Sequence, residues 1–419
     1  MIQNRIHHSF LIAVILCSAT LLSCKPGAKP VKPDAFLRQF HDAIRDHYYF
    51  YPDTDFKYNL SEVYAAALKE ATKSEDSSVD IQTAIQRIQA FSPDPEKQSQ
   101  AALKFVEVVL NRLPDQSSYY IDPVSLELLN DDDRNGGTGI VIRKNADGRF
   151  RIVDVLDGSP AQRDDVAVNS YIDAVDGASV SGLSVEGVAA RIRGPLDTEV
   201  ELTLNGKSHK LVRSQFPSPA PTRNTWQIGE SKVLVVQLRS ALPGSTDTLK
   251  NVLGQTADRS ALVLDIRKLN FGEFSEVFHM ADLLVSDGLL GSTEGRDKAE
   301  EAYRADSDRL FSGPVYVLVS ASASPFAEVL AAALKASPNV ILVGPDLKGN
   351  AFLADSIPLG SGKLQITTGI VKGSDGRPLF LEGIKTDLRT EDFLPVRAPL
   401  SSPDSDDPGH QAVLDHLSR

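Results

Sequence analysis

Three serines at alternate positions, Ser320, Ser322 and Ser324, lead from an apolar strand-like run into an apolar helix-like run across "VLVSASASPFAEVLAAAL", residues 317–334. A serine hydroxyl at a helix start can attack a carbonyl if a nearby base takes its proton and backbone N–H groups receive the oxyanion. The same residues also fit a purely structural role. Ser324 before Pro325 pairs a helix N-cap with a first-turn proline, where the missing N–H costs nothing. Pro325 equally lacks the N–H that could hold an oxyanion just after Ser324. Both readings stand on this segment alone.

Other residues offer less. "GGTGIVI", residues 136–142, is a glycine-rich turn running into an apolar strand. It fits either a nest of backbone N–H groups at Gly137, Thr138, Gly139 and Ile140 that captures a peptide carboxylate, or a plain hairpin lead-in. Because "GGTG" precedes a strand and not a helix, it is no dinucleotide fingerprint. Asp265 and Arg267, ending the buried run "SALVLDIR", fit a structural ion pair better than catalysis. None of the eight histidines forms an H-x-x-x-H pair, so neither a metal nor another cofactor is expected. His279, in "EVFHMADLL", reads as a packed core or boundary residue. The acidic runs "NDDDR" and "SPDSDDPG" read as solvated loops.

These candidates need a scaffold. At 419 residues the chain exceeds one ordinary core, while 42% apolar and 24% charged residues describe folded globular protein. A formal charge of −12, with no basic stripe, argues against a nucleic-acid partner. The N-terminus places Arg5 before an apolar run from Phe10 to Leu22 and then Leu21-Leu22-Ser23-Cys24. This is the pattern of an export signal, residues 1–23, ending in a bacterial lipobox, with Cys24 lipidated after cleavage. The apolar run is shorter than the roughly 20 residues of a membrane span. A lipid anchor at Cys24 on the periplasmic face of the bacterial cell envelope is therefore expected. Cleavage would also remove Cys17, leaving no disulfide and no cysteine metal site.

Beyond a polar tether, residues 24–34, helical spacing predicts helices from Ala35 to about Tyr49, Leu60 to Lys73 and Ile81 to Leu113, a helical region spanning 35–130. Residues 131–214 change to short alternating runs with turns at "NADG" and "NGK" and one helix in "SVEGVAARIRG", a small β-rich unit. A proline-rich linker, 215–222, leads to alternating strand and helix patterns over 223–395, the signature of a largely parallel αβ sheet. A tail, 396–419, closes with a short helix. The fold class is thus a multidomain mixture of α+β and α/β.

"GTGIVI", "VLDGSPAQRDDV", "YIDAVDGASVSGLSVEGVAARIRG" and "VELTL" together resemble the PDZ domain of bacterial carboxyl-terminal processing (tail-specific) serine proteases. "LPDQSSYYIDPVSLELL" before it and "SALVLDIR", "VGPDLKG", "KLQITTG" and "LEGIKTD" after it extend the resemblance over roughly residues 35–390. It implies a PDZ-like domain beside a ClpP/crotonase-like αβ peptidase domain. It also implies cleavage of exported proteins near C-termini that the PDZ domain captures. In that family the nucleophile lies three residues before a helix glutamate, which resembles Glu328 here. The ungapped register, through Val319, Val343-Gly344 and Pro358-Leu359, puts Pro325 at the nucleophile, Asn350 at the lysine and Ala354 at a supporting glutamine. The family's glycine-paired turn reads Leu269-Asn270-Phe271-Gly272, with Phe271 in a glycine's place. The resemblance therefore implies a scaffold that binds peptide or protein C-termini with no catalytic residues expected. The rival is an active peptidase using a relocated Ser324/Lys348 dyad.

Overall fold

The computed structural model describes residues 30–51, 59–115, 117–145, 147–216, 221–254, 259–306, 309–393 and 402–418. The expected signal with its lipobox, Cys24, most of the tether and linker residues 217–220 lie outside this set.

The N-terminal helices are Pro33–His47, Leu60–Thr72, Ile81–Phe91 and Pro95–Asn111. The run from Ile81 to Leu113, expected as one helix, is two. Pro93 and Pro95 each lack an N–H and force the preceding residue extended, which stops the first helix. Asp94 then caps the second by accepting from Glu96 N–H at 2.9 Å. The apolar stripes of these helices, including Leu37, Phe40, Leu68 and Phe105, do not close a core alone. They share it with Leu359, Leu364, Ile366 and Ile370, carried by strands Phe352–Leu359 and Gly362–Lys372 near the other end of the chain.

The β-rich unit is an antiparallel sheet ordered Ile140–Lys144, Phe150–Val155, Tyr171–Val175, Glu199–Leu204 and Lys207–Val212, with helix Val185–Ile192 against it. Asn205 and Gly206 both take positive φ, 48° and 75°, the conformation that a tight two-residue hairpin requires. Strand Ile140–Lys144 lies at the sheet edge. Its side chains alternate: Ile140 and Ile142 pack into the unit's own core, whereas Val141 belongs to a cluster with Val153, Leu156, Phe216 and Phe271 on the opposite face.

The third unit carries the expected parallel sheet. Leu388–Arg389, Val340–Gly344, Val315–Leu318, Ala261–Asp265 and Ser231–Gln237 run parallel in that order, and Thr222–Ile228 adds an antiparallel edge. That edge strand begins inside the segment read as linker. Every residue of Ala261–Asp265 is buried, as in a sheet covered on both faces. A second, antiparallel sheet was not expected. It joins Tyr119–Ile121, Gly362–Lys372, Gly288–Gly295 and Glu301–Ala305, with Phe352–Leu359 paired to the long strand.

Helix Pro408–Leu417 closes the chain and is held by a buried network. Arg267 donates to both oxygens of Asp265, at 3.0 and 2.9 Å, and to Asp407 at 2.7 Å. Asp265 and Arg267 thus form the structural pair expected of them. Burial works against the Asp265 carboxylate, but Arg267 outweighs it and holds the carboxyl below its ordinary range. The run containing Asp407 is not wholly solvated, since this carboxylate is fully buried. It caps the last helix while pairing with Arg267.

Candidate functional site

Helix Pro325–Leu334 starts where the parallel sheet delivers it, directly after Val315–Leu318. Ser324 is its N-cap: Oγ accepts from Ala327 N–H at 3.1 Å and donates to the Leu269 carbonyl. The side chain is 3% exposed, so both its hydrogen-bonding roles are spent inside the protein. Pro325, at the first helical position, is exposed. Lys348 is also exposed and lines a large groove with Asn350. No hydrogen bond joins Ser324 to Lys348 among the described residues.

Glu328 fixes the relation between this helix and the loop carrying Lys348 and Asn350. Its Oε1 accepts from the N–H groups of Lys348 at 3.0 Å and Gly349 at 3.1 Å. The carboxyl is buried and Oε2 has no hydrogen-bond partner. Burial raises its pKa, and the backbone N–H groups with Arg143 offset only part of that. Helix start and loop are therefore neighbours, as the register through Glu328 requires. Ala354 falls elsewhere, facing a small cavity with His47 and Arg296.

The turn Leu269–Gly272 is extended rather than left-handed. Neither Phe271 nor Gly272 has positive φ, and the two pair in parallel with Ser240–Ala241. Phe271, in a glycine's place, therefore meets no left-handed turn and serves a packing role. The Phe271 ring joins Val141, Val153 and Leu156 of the β-rich unit. Around it, Arg143 donates to Asn270 Oδ1 at 2.6 Å and Arg151 to Ser322 Oγ at 3.1 Å. Burial lowers the Arg143 pKa to about 10, and the nearby Arg151 charge adds to this against the opposing pull of Glu328. Asp154, fully buried, accepts from Arg239 at 2.6 Å and pairs with Lys268 at 2.9 Å. The β-rich unit is seated on the helix-start site by polar contacts that sequence reasoning missed. The period-two placement of Val141 with Arg143, and of Arg151 with Val153, was the available signal.

The glycine-rich loop is braced by its carbonyls. Gly137 exchanges both hydrogen bonds with Ser214, the Thr138 carbonyl accepts from Ala161 N–H, and the Gly139 carbonyl accepts from Leu156 N–H. Among the described residues the N–H groups of Thr138 and Gly139 have no partner. Gly139 takes φ +79°, and a Cβ there would lie 2.1 Å from Ser159 Cβ, so glycine is required. The loop leads into Ile140 at the start of the edge strand. Helix Val185–Ile192 runs beside this strand, since Gly136 bridges Gly194 at one end and Lys144 Nζ donates to the Leu183 carbonyl at the other. The edge strand and this helix thus lie side by side, with the free N–H groups at one end. His279 is exposed, because the buried stripe of its helix comprises Val277, Phe278, Met280 and Ala281. No group of three or more His, Cys, Asp or Glu suited to a metal ion occurs among the described residues.

A PDZ unit docked over the helix starts of a parallel αβ sheet defines a tail-processing peptidase architecture. The sequence model of peptidase family S41 matches residues 232–390 and that of the PDZ domain residues 128–205. The chain belongs to the carboxyl-terminal processing protease family. It is 26% identical over 308 residues to the carboxy-terminal processing protease CtpA of Bacillus subtilis, covering 72% of this chain and 66% of that protein. It is 25% identical over 331 residues to the carboxy-terminal-processing protease of Bartonella bacilliformis, covering 73% and 72%. The solved structure titled photosystem II D1 C-terminal processing protease shares the fold, with TM-score 0.62 and 20% identity over 86% of this chain and 93% of that one.

Proposed function

We propose that this protein is an exported lipoprotein that captures protein C-termini through its PDZ domain and has lost peptidase chemistry, acting as a peptide-binding or regulatory pseudoprotease. The observation that carries the reading is the commitment of Ser324 Oγ to Ala327 N–H and the Leu269 carbonyl while Lys348 stays exposed in the groove. A base must reach the nucleophile's proton within about 3 Å and be desolvated enough to be neutral. Proline, asparagine and alanine at 325, 350 and 354 supply neither nucleophile nor base. Residues that act as a unit fail together, at a cost of several orders of magnitude in rate.

The experiment incubates the purified chain with an unfolded protein substrate and follows fragments by mass spectrometry. No cleavage is expected. Cleavage that disappears in Ser324→Ala or Lys348→Ala would establish the relocated dyad and overturn the reading. Anchoring is tested separately: Cys24→Ala should release the protein from membranes or block signal removal, and an unlipidated native Cys24 would refute the anchor. For tail capture, a peptide with a free C-terminal carboxylate should bind more tightly than its amide, which removes the charge offered to the Thr138 and Gly139 N–H groups.

A further inference from the structure

At the Lys144 end of the edge strand lies a cavity of about 320 Å³ whose other wall belongs to helix Pro95–Asn111 and strand Tyr119–Ile121. Leu103, Leu110, Tyr119 and Leu183 make its apolar lining, with Lys104 and Lys144 at hand. Two of these residues tie the cavity to the PDZ-like unit: Leu183 immediately precedes the helix cap Ser184, and Lys144 is the last residue of the edge strand.

Strand geometry says which part of a bound chain arrives there. A peptide whose carboxylate meets the Thr138 and Gly139 N–H groups must run antiparallel to Ile140–Lys144. At about 3.3 Å per residue, it passes Lys144 near its fifth residue counted from the C-terminus. We infer that the cavity is a second recognition subsite, taking a large apolar or aromatic side chain from roughly the fifth to eighth residue before the C-terminus. This rests on the tail-capture reading. The PDZ domain then reads the terminus while the helical region reads an upstream residue, so neither unit alone sets the partner. The occupant is a protein tail, because the cavity adjoins the Lys144 end of the strand edge along which the captured tail would run.

The test uses the whole chain and labelled peptides that end identically. One is a tetrapeptide; the others are decapeptides with serine or leucine at each upstream position in turn. Leucine in the fifth-to-eighth window should tighten Kd about tenfold over serine, a step of about 1.4 kcal/mol. Leu103→Asp should abolish that gain while leaving tetrapeptide affinity unchanged. Should that variant misfold, benzoylphenylalanine at the sixth position of a decapeptide on the unaltered chain should crosslink to residues 100–120. A flat upstream profile with binding that still needs the free carboxylate overturns the subsite alone. Equal binding of acid and amide forms overturns tail capture and the subsite together. Crosslinks joining two copies of the chain at this surface would show a different occupant and also overturn it.

Discussion

Replacing Asp154 by alanine should loosen the PDZ domain from the peptidase domain and destabilise the protein by about 3 kcal/mol. The Asp154 side chain is fully buried, and its two oxygens receive Arg239 at 2.6 Å and Lys268 at 2.9 Å. Arg239 keeps a second partner, Asp157 at 2.6 Å, but that carboxylate is 67% exposed and such pairs contribute at most about 1 kcal/mol. Lys268, with a 4% exposed side chain, has no other ion pair among the described residues. Removing one partner of a buried pair typically costs about 3–5 kcal/mol because the remaining charge stays desolvated. The low end applies here, since the two domains can part and admit water to Lys268. The assay is urea unfolding followed through Trp226, the chain's single tryptophan and fully buried in the peptidase unit. Asp154→Ala combined with Lys268→Met should recover much of the loss, because no buried charge then stands alone. A single-variant change below about 0.5 kcal/mol, or strict additivity in the double variant, would refute the reasoning.

Ser324→Ala should cost about 1 kcal/mol of stability from the lost cap, read by thermal unfolding, and should not alter peptide binding. Glu328→Ala should remove the shared acceptor of Lys348 and Gly349, so faster hydrogen exchange at those two amides is expected, with about 1–3 kcal/mol lost. Burial lowers the His410 pKa, so the unfolded chain binds this proton more readily. The stability due to a neutral His410 is present above its unfolded pKa, about 6.5, and is lost as pH falls from there through the folded value. His410→Gln should therefore flatten the fall of stability between about pH 7 and about pH 5, measured by denaturation at each pH.

The parallel sheet and its helices were legible because each is long, periodic and buried on a predictable face. The antiparallel sheet was not. Its strands pair Tyr119–Ile121 with Gly362–Lys372, and such distant partners leave no local pattern. At the site, Ser324 was readable as a cap from Ser-Pro alone, since capping is a local rule. The role of Phe271 was only half readable: its type was conspicuous, but the surface it meets belongs to Val141 and Val153 in another unit. Arg143 and Arg151 passed as ordinary strand residues because contacts between domains are set by docking.

The core shared by the N-terminal helices and the strands Phe352–Leu359 and Gly362–Lys372 bears on how the chain can fold. Thr367 Oγ1 donates to Asp115 across 252 residues, and the loop entropy of that closure must be met before the contact helps. A ribosome releasing the chain in order delivers the helices long before the strands that complete their core. Their apolar stripes must wait, exposed or held by a chaperone, until the last quarter of the chain arrives. High contact order of this kind slows folding, and a chain cut before residue 359 would leave Leu37, Phe40 and Phe105 without the apolar partners they need.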